Sequence, residues 1–344
     1  MDAPERIRTE IFDNHAGLAR AVAGRIAQLI RDRRAAGARP VLGLATGSTP
    51  LGVYRELIRM HREEGVSFRG VIAFNLDEYY PMDPKCPHSY HRFMWENLFL
   101  HIDIEPADVH IPQGDLPRER LGQACEEYEA AIAAAGGIDI QLLGIGKTGH
   151  IGFNEPGSGA RSRTRVVTLD AITRKDAAAD FFGESLVPRE AITMGVATIL
   201  EAREIAILAT GEHKAAIVRR SVEGEIDTEV AATFLQRHPH TTFYLDDAAA
   251  ASLTRMATPW LVDEVEWTDA LAVQGVVWLS ETVRRAILKL THRDYADPGE
   301  VLIRHAPSEL AVTSPGGFVG GIRVDNILRH EPVARNRTLA NAFL

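Results

Sequence analysis

Short apolar runs alternate with longer amphipathic segments through the first 250 residues. Asp13 or Asn14 can cap a helix whose apolar side chains recur at helical spacing. These positions are Leu18, Val22, Ile26, Leu29 and Ile30. A second helix is expected behind Pro50, a residue that suits the start of a helix. Both helices therefore carry one buried face.

Six stretches have the pattern and the flanking residues of strands. Residues 7–12 alternate between apolar and polar, and the predominantly apolar runs are residues 41–45, 71–76, 138–145, 205–209 and 241–245. Helices are expected between them, including Glu126–Ala135 and Glu212–Val222. Strands that alternate with helices predict an α/β fold with an open, mostly parallel sheet and helices on both faces.

The alternation ends at Met256–Trp260, and three of the four tryptophans lie beyond residue 256. Residues 278–290 read as a helix, and from residue 297 the chain becomes rich in loop-forming residues. We predict a main α/β domain over residues 1–255 and a C-terminal extension over 256–344 that packs on it.

Composition narrows the class of protein. Of 344 residues, 45% are apolar and 25% charged, which is typical of a soluble globular protein. The net charge of −9 disfavours nucleic acid or an anionic membrane as a partner. Cys86 and Cys125 are too few for a disulfide framework. With no secretory signal and no apolar run of about 20 residues, we expect a cytoplasmic protein without a membrane span.

Polar motifs follow four of the predicted strands. They are Thr46–Thr49, Asp77–Tyr79, Gly146–Glu155 and Thr210–Lys214. Ligands of open α/β sheets bind at the carboxyl ends of the strands. The convergence of four such motifs on one edge therefore predicts a binding site there.

The first motif and two cations indicate an anion site. Gly47 allows close approach of the backbone, and the helix behind it supplies free N–H groups. Lys214, expected in the first turn of its helix, opposes the helix dipole unless an anion is bound. Arg174 offers a planar fork for an anion. The alternatives are a Ser/Thr helix cap and solvated surface cations.

The other two motifs carry acid–base candidates. Asp77 ends a buried strand, where a carboxylate is costly unless it is used or paired. It is either a general base or a helix cap or salt-bridge partner. His150 and Glu155 can meet on one turn, with the carboxylate orienting the imidazole. Metal ligation by His150 lacks a further ligand at suitable spacing, so we expect no metal site.

Together these segments resemble glucosamine-6-phosphate deaminases, which belong with phosphogluconolactonases and ribose-5-phosphate isomerases in a Rossmann-like superfamily. The matching segments are residues 44–50, 74–79, 89–94, 149–156 and 162–165, and Lys214 after Thr210-Gly211. A lactonase is expected to show Asp-Glu-Arg where this chain has Asp77-Glu78-Tyr79.

The resemblance implies conversion of glucosamine 6-phosphate and water into fructose 6-phosphate and ammonia, a step of amino-sugar catabolism, by a homo-oligomer without a cofactor. His150 would open the sugar ring, Glu155 would hold and polarise His150, and Asp77 would carry a proton from C2 to C1. The implied phosphate contacts are Thr46, Gly47, Ser48, Thr49, Arg174 and Lys214.

This chain departs from the resemblance at Thr148, where the family pattern has an aspartate that completes a relay around the histidine. A hydroxyl accepts a hydrogen bond but stabilises imidazolium charge less. We therefore expect a weakened or altered ring-opening step. An isomerase or lactonase acting on another 6-phospho-sugar, and a non-catalytic sugar-phosphate sensor, stay open as alternatives.

Two further departures concern regulation and length. Ser158 and Arg165 match positions at which some relatives bind N-acetylglucosamine 6-phosphate as an allosteric effector, but Val167 replaces a lysine common in those members. This replacement argues against the same regulation. The tail after residue 256 resembles the linker of longer deaminase-like proteins that carry an added hydrolase-type domain.

Overall fold

A computed structural model describes residues 4–263, 265–266, 268–289, 312–314 and 317–319. The chain divides into two compact units, one of residues 5–252 and one of residues 1–4 with 253–344. This division lies close to the predicted boundary. That the extension packs on the main domain stays a prediction.

The first unit contains ten strands. They are β1 (Arg8–Phe12), β2 (Val41–Leu44), β3 (Ile72–Asn75), β4 (Asp77–Tyr80), β5 (Val109–His110), β6 (Ile140–Gly144), β7 (Arg165–Thr168), β8 (Glu190–Thr193), β9 (Glu204–Ala209) and β10 (Thr241–Asp246). Seven form a sheet in the order β1-β10-β9-β6-β2-β3-β5, and every neighbouring pair in it is parallel. The predicted open parallel α/β sheet is therefore confirmed.

Helices connect these strands. They are α1 (His15–Ala35), α2 (Leu51–Glu64), α3 (Tyr90–Asn97), α4 (Leu121–Ala134), α5 (Ala171–Ala177), α6 (Val196–Leu200), α7 (Ala215–Glu223) and α8 (Asp247–Ala250). Short 3₁₀ turns span Glu212–Lys214 before α7 and Ala231–Arg237 before β10. The Asn14 side chain caps α1 by accepting a hydrogen bond from the Gly17 N–H, as predicted.

The core lies between the sheet and the helices α1 and α2. All five apolar positions predicted on α1 are buried, and they share one cluster with Tyr54, Leu57 and Leu44. Burying each such side chain stabilises the fold by roughly 1.5–3 kcal/mol. This packing fixes the start of α2 relative to the end of β2, where the first polar motif lies.

A second, three-stranded sheet in the order β4-β8-β7 was not predicted. The chain leaves β3 at Asn75 and, after Leu76, enters β4, which pairs antiparallel with β8. Asp77–Tyr79 does follow the predicted strand, but the motif itself forms part of a further strand that the sequence pattern did not indicate. All four residues of β4 are buried, so both faces are covered and no alternation of polar and apolar residues marks the strand.

The second unit contains α9 (Thr254–Ala257), α10 (Asp269–Thr282) and the antiparallel pair β11 (Val312–Ser314) and β12 (Gly317–Val319). The helix predicted over residues 278–290 instead begins at Asp269, because Thr268 caps it. Its end at Thr282 precedes Arg284, which has a left-handed φ of 52°. The rest of the predicted loop-rich segment from residue 297 lies outside the described residues.

Within the part of the chain that the structure describes, no helix combines the length and the apolar character needed to cross a bilayer.

Candidate active site

The four polar motifs lie at the carboxyl ends of neighbouring parallel strands. Thr46–Thr49 follows β2, Gly146–Glu155 follows β6, and Thr210–Lys214 follows β9. Asp77 begins β4, one residue after β3 ends. Because β9, β6, β2 and β3 are consecutive in the sheet, these motifs meet at one edge.

The Thr46–Thr49 loop presents backbone N–H groups at the start of α2. Gly47 adopts a φ of 103°, which favours glycine. Pro50 is the N-cap residue of α2 and makes no side-chain cap hydrogen bond. The alternative that a serine or threonine caps this helix is therefore wrong, and the first turn of α2 keeps free N–H groups for an anion.

Asp77 is a buried carboxylate, with 5% of its surface exposed. Burial, with a smaller contribution from the charge of Glu78, raises the pKa of Asp77 well above its ordinary value. Among the described residues, no donor makes a hydrogen bond to this carboxylate, so the salt-bridge and helix-cap alternatives fail. An unpaired carboxyl group with a raised pKa can act as a base in one step and as an acid in the next.

Glu78, next in sequence, has the opposite environment. Its carboxylate accepts four hydrogen bonds of 2.8–3.0 Å around the start of α3, from the N–H groups of Tyr79, Tyr90 and His91 and from the Ser89 hydroxyl. Burial raises the pKa of Glu78, and these hydrogen bonds offset only part of the rise. Glu78 thereby anchors β4 to α3 and holds a second carboxylate beside Asp77.

The charge of Asp77 acts on four tyrosine hydroxyl groups. Burial and, in addition, the charge of Asp77 raise the pKa of Tyr54, Tyr79, Tyr90 and Tyr128. The Tyr90 hydroxyl lies 3.3 Å from that of Tyr79 and also hydrogen-bonds the Thr46 side chain. Tyr90 therefore joins the anion loop to the strand of Asp77, a connection that sequence reasoning missed although Ser89-Tyr90 belongs to a matching segment.

His150 packs over Gly146, where a Cβ atom would lie 2.0 Å from the imidazole Nε2. Any side chain at position 146 would therefore displace the imidazole from this place. The Thr148 hydroxyl is 3.0 Å from Nδ1 in hydrogen-bonding geometry. Glu155 Oε2 is 3.2 Å from the same nitrogen but makes no aligned hydrogen bond. A carboxylate beside Nδ1 favours the proton on that nitrogen, which leaves Nε2 as the acceptor.

Glu155 is ionised in this environment. Burial acts to raise the pKa of Glu155. The interaction with His150 and the contacts with the Thr173 hydroxyl and the Asp170 N–H outweigh burial, so the pKa lies below its ordinary value. The predicted pairing of His150 with Glu155 is confirmed as a contact. Thr148, the departure from the family pattern, takes the aligned position on the imidazole.

Lys214 lies in the 3₁₀ turn Glu212–Lys214, which leads directly into α7, so it stands in the first turn of this helical segment as expected, although that turn is 3₁₀ rather than α-helical. Its ammonium group donates to the Ile145 carbonyl oxygen at 2.8 Å, and burial lowers its pKa. This contact brings Lys214 to the start of the His150 loop.

Arg174 lies on α5. Its guanidinium group donates to the Leu169 carbonyl oxygen at 2.7 Å and lies 4.0 Å from Glu184. These contacts are local to α5 and do not join Arg174 to the Thr46–Thr49 loop. A link between α5 and the His150 loop comes instead from Lys147, whose ammonium group is 2.5 Å from the Asp176 carboxylate.

Ser158 and Arg165 contact each other, with 3.1 Å between the guanidinium group and the hydroxyl. Burial lowers the pKa of Arg165. Effector binding at this pair stays a prediction. In the residues that the structure describes, no group of three or more His, Cys, Asp or Glu side chains is arranged to hold a metal ion.

A sequence profile of the family described as glucosamine-6-phosphate isomerases/6-phosphogluconolactonase matches residues 13–244. Glucosamine-6-phosphate deaminase 2 of Bacillus subtilis is 50% identical over 230 residues, which are 66% of this chain and 91% of the relative. A glucosamine-6-phosphate deaminase-like protein of Bacteroides thetaiotaomicron is 41% identical over 326 residues. That alignment covers 95% of this chain and 48% of the relative, so the chain spans about half of that protein's length.

Solved structures agree with the fold. A monomeric glucosamine-6-phosphate deaminase superposes with a TM-score of 0.69 at 41% identity, over 72% of this chain and 100% of that one. A 6-phosphogluconolactonase of Trypanosoma brucei has a TM-score of 0.58 at 22% identity, over 72% of this chain and 99% of that one. The lactonase shares the fold alone.

Proposed function

Because the chain belongs to the glucosamine-6-phosphate isomerase/6-phosphogluconolactonase family, we propose that it converts glucosamine 6-phosphate and water into fructose 6-phosphate and ammonia. The observation that carries this proposal is the unpaired, buried carboxylate of Asp77 at the same sheet edge as the His150–Glu155 pair. The names of the relatives of Bacillus subtilis and Bacteroides thetaiotaomicron support the same reaction.

The substrate phosphate binds at the loop after β2. Thr46, Gly47, Ser48 and Thr49 surround the free N–H groups at the start of α2, which attract an anion. Lys214, at the start of the His150 loop, supplies positive charge, and Arg174 would join it only by leaving its contacts with Leu169 and Glu184. Holding the phosphate at C6 keeps the distant C1 and C2 atoms near the acid–base groups, which lowers the entropic part of the barrier.

Ring opening is assigned to His150. Nε2 takes the proton of the C1 hydroxyl, and the imidazolium ion returns a proton to the ring oxygen as the C1–O bond breaks. Glu155 and Thr148 hold Nδ1 and stabilise the transient positive charge. The product of this step is the open-chain aldehyde.

Asp77 then moves a proton from C2 to C1. Starting from the ammonium form of the substrate, removal of the C2 proton and transfer of one ammonium proton to the C1 oxygen leave a neutral enolamine, and return of the first proton to C1 gives a C2 iminium ion. Water adds to C2, and one of its protons passes to the nitrogen. Ammonia then leaves with the C–N electron pair as the C2 hydroxyl releases its proton and the C2 carbonyl forms. One group has to act as base and then as acid, which suits a carboxyl group with a raised pKa.

The test is ammonia release by wild-type protein from glucosamine 6-phosphate and a panel of other amino-sugar and neutral sugar 6-phosphates. We expect ammonia from glucosamine 6-phosphate, together with exchange of the C2 proton in D₂O. A folded, phosphate-binding preparation that shows neither contradicts the proposal. Turnover restricted to another 6-phospho-sugar would indicate a shifted substrate, and binding without turnover a sensor.

Assembly and location stay predictions. We expected a homo-oligomer, whereas one structural relative is described as a monomeric deaminase. Light scattering on the full chain decides between the two. The expected cytoplasmic location and the absence of a nucleic-acid partner are likewise predictions from composition alone.

A further inference from the structure

His15 connects the first helix to the phosphate loop. It is the first residue of α1, and its Nε2 atom lies 2.9 Å from the carbonyl oxygen of Thr49. Because a carbonyl oxygen only accepts, Nε2 is the donor in this hydrogen bond. A side chain 34 residues earlier in sequence thus contacts the backbone of the loop.

The contacted peptide has one hydrogen-bonding group. Thr49 precedes Pro50, and proline has no backbone N–H. The Thr49 carbonyl is therefore the sole backbone group through which hydrogen bonding can orient this peptide plane. The same peptide joins the phosphate loop to α2, so its orientation sets the direction of both.

Gly52 provides room for this contact. A Cβ atom at position 52 would lie 2.9 Å from Nε2 and 3.0 Å from Cε1 of His15, and 3.1 Å from the Ala19 Cβ. Gly52 stands in the first turn of α2 and its φ is not positive, so its backbone conformation does not require glycine. Since glycine weakens a helix relative to alanine, the close approach of the His15 imidazole, together with that of Ala19, accounts for glycine at this position.

We infer that His15 is a positioning residue for the phosphate site, which holds the Thr49–Pro50 peptide and so aims the loop and the first N–H groups of α2 at the anion. The inference rests on the proposed function for the identity of the anion. His15 does not touch the substrate. Its effect is on the affinity for the phosphate group, whereas the groups that transfer protons are unchanged.

The experiment compares His15→Phe, which keeps a ring but removes the donor, with His15→Gln, which keeps a donor. The dissociation constant of inorganic phosphate is measured by calorimetry, and KM and kcat are measured with glucosamine 6-phosphate. We expect His15→Phe to weaken phosphate binding and raise KM about two- to tenfold, as for the loss of one hydrogen bond, with kcat little changed. His15→Gln should recover part of this loss.

Gly52→Ala is the second variant, because it displaces the imidazole while leaving His15 in place. It should change phosphate affinity in the same direction, and adding His15→Phe to it should cause little further loss. This variant also tests the inference if His15→Phe does not fold. Thermal unfolding of each protein separates weaker binding from a damaged fold.

Phosphate affinity and KM that stay at wild-type values in a folded His15→Phe protein overturn the inference. A fall in kcat with unchanged KM and phosphate affinity overturns it as well. Weaker phosphate binding in His15→Phe, in a protein that releases no ammonia, would leave the inference standing and reject the proposed reaction. A wild-type protein that binds neither inorganic phosphate nor a sugar 6-phosphate rejects both.

Discussion

Buried carboxylates have opposite environments at the two ends of the parallel strands, here called the amino edge and the carboxyl edge of the main sheet. At the amino edge, the Asp139 carboxylate is 1% exposed and contacts Arg33 and Arg203 at 3.0 Å each and the Val41 N–H at 2.8 Å. A cleft of about 530 Å³ lies there, and each of the four arginines that line it contacts a carboxylate. Paired charges of this kind hold the strand starts together.

At the carboxyl edge, Asp77 is buried without a partner among the described residues, and Lys214 contacts a carbonyl oxygen rather than a carboxylate. Unpaired buried charge lowers stability, so its presence needs another explanation. The buried carboxylate without a partner therefore identifies the site, whereas the presence of a cavity does not, since a 530 Å³ cleft lies at the amino ends of the strands.

Asp77→Asn should have the largest effect. We expect kcat to fall by about 10²–10⁴-fold, the usual contribution of a general acid–base group, and the exchange of the C2 proton to be lost. The variant should also be more stable at neutral pH by roughly 1–3 kcal/mol, because a buried charge without a partner is removed.

The pH dependence of this gain follows from the raised pKa of Asp77. Below the ordinary carboxyl pKa the group is protonated in both the folded and the unfolded state, so the wild type has no penalty. Between the ordinary pKa and the raised pKa, the unfolded state loses its proton while the folded state keeps it, so the wild type progressively loses stability and the gain of Asp77→Asn appears. Urea unfolding across pH measures it, and a stabilisation of equal size at low pH would contradict the explanation.

Asp139→Asn makes the same chemical change at the amino edge and should act in the opposite direction. Two arginines and one N–H group lose the carboxylate that they share, so we expect the free energy of unfolding to fall by about 3 kcal/mol. The fall is not larger because both arginines reach solvent. Turnover of the folded fraction should be unchanged. A large fall in the kcat of the folded protein would contradict a purely structural role for Asp139.

Glu78→Gln tests how the neighbouring carboxylate on the same strand affects Asp77. Its negative charge contributes to the raised pKa of Asp77, so its removal should move the acid limb of the kcat profile to lower pH. Stability should fall by roughly 1–3 kcal/mol, because an amide cannot accept all four hydrogen bonds. Ser89→Ala removes one of these bonds and keeps the charge, so its acid limb should stay in place.

Thr148→Val should have the smallest effect. It removes the aligned hydrogen bond on Nδ1 of His150 while Glu155 remains, so we expect about a two- to tenfold fall in the rate of ring opening. Thr148→Ser keeps the hydroxyl and is the matched control. Thr148→Asp tests the missing carboxylate directly. A large gain in rate would indicate a weakened relay, and little change or a loss a site adapted to threonine.

Much of the fold followed from local pattern. The spacing of apolar residues on α1, the cap at Asn14 and the apolar runs of β2, β6, β9 and β10 predicted elements that the structure confirms, because each buries one stripe or lies wholly within the sheet. The same pattern placed the polar motifs at strand ends, and the parallel topology brought them to one edge.

Other features could not be predicted from local pattern. β4 has both faces covered by residues distant in sequence, so its own four residues carry no alternation. The contact of His15 with Thr49 depends on how α1 packs against α2, and the room left by Gly52 becomes visible only in that packing. Neither has a signal in a short stretch of sequence.

The parallel sheet, its polar edge and the pair His150 and Glu155 can be read from the amino-acid sequence, because they depend on short-range periodicity and on residues five positions apart. Which carboxylate is satisfied depends on contacts between distant segments. Asp77 and Glu78 are adjacent and chemically alike, yet α3 donates hydrogen bonds to Glu78 and leaves Asp77 without a partner within the described chain. Burial and hydrogen bonding, which set the protonation of each group, depend on segments brought together by the fold.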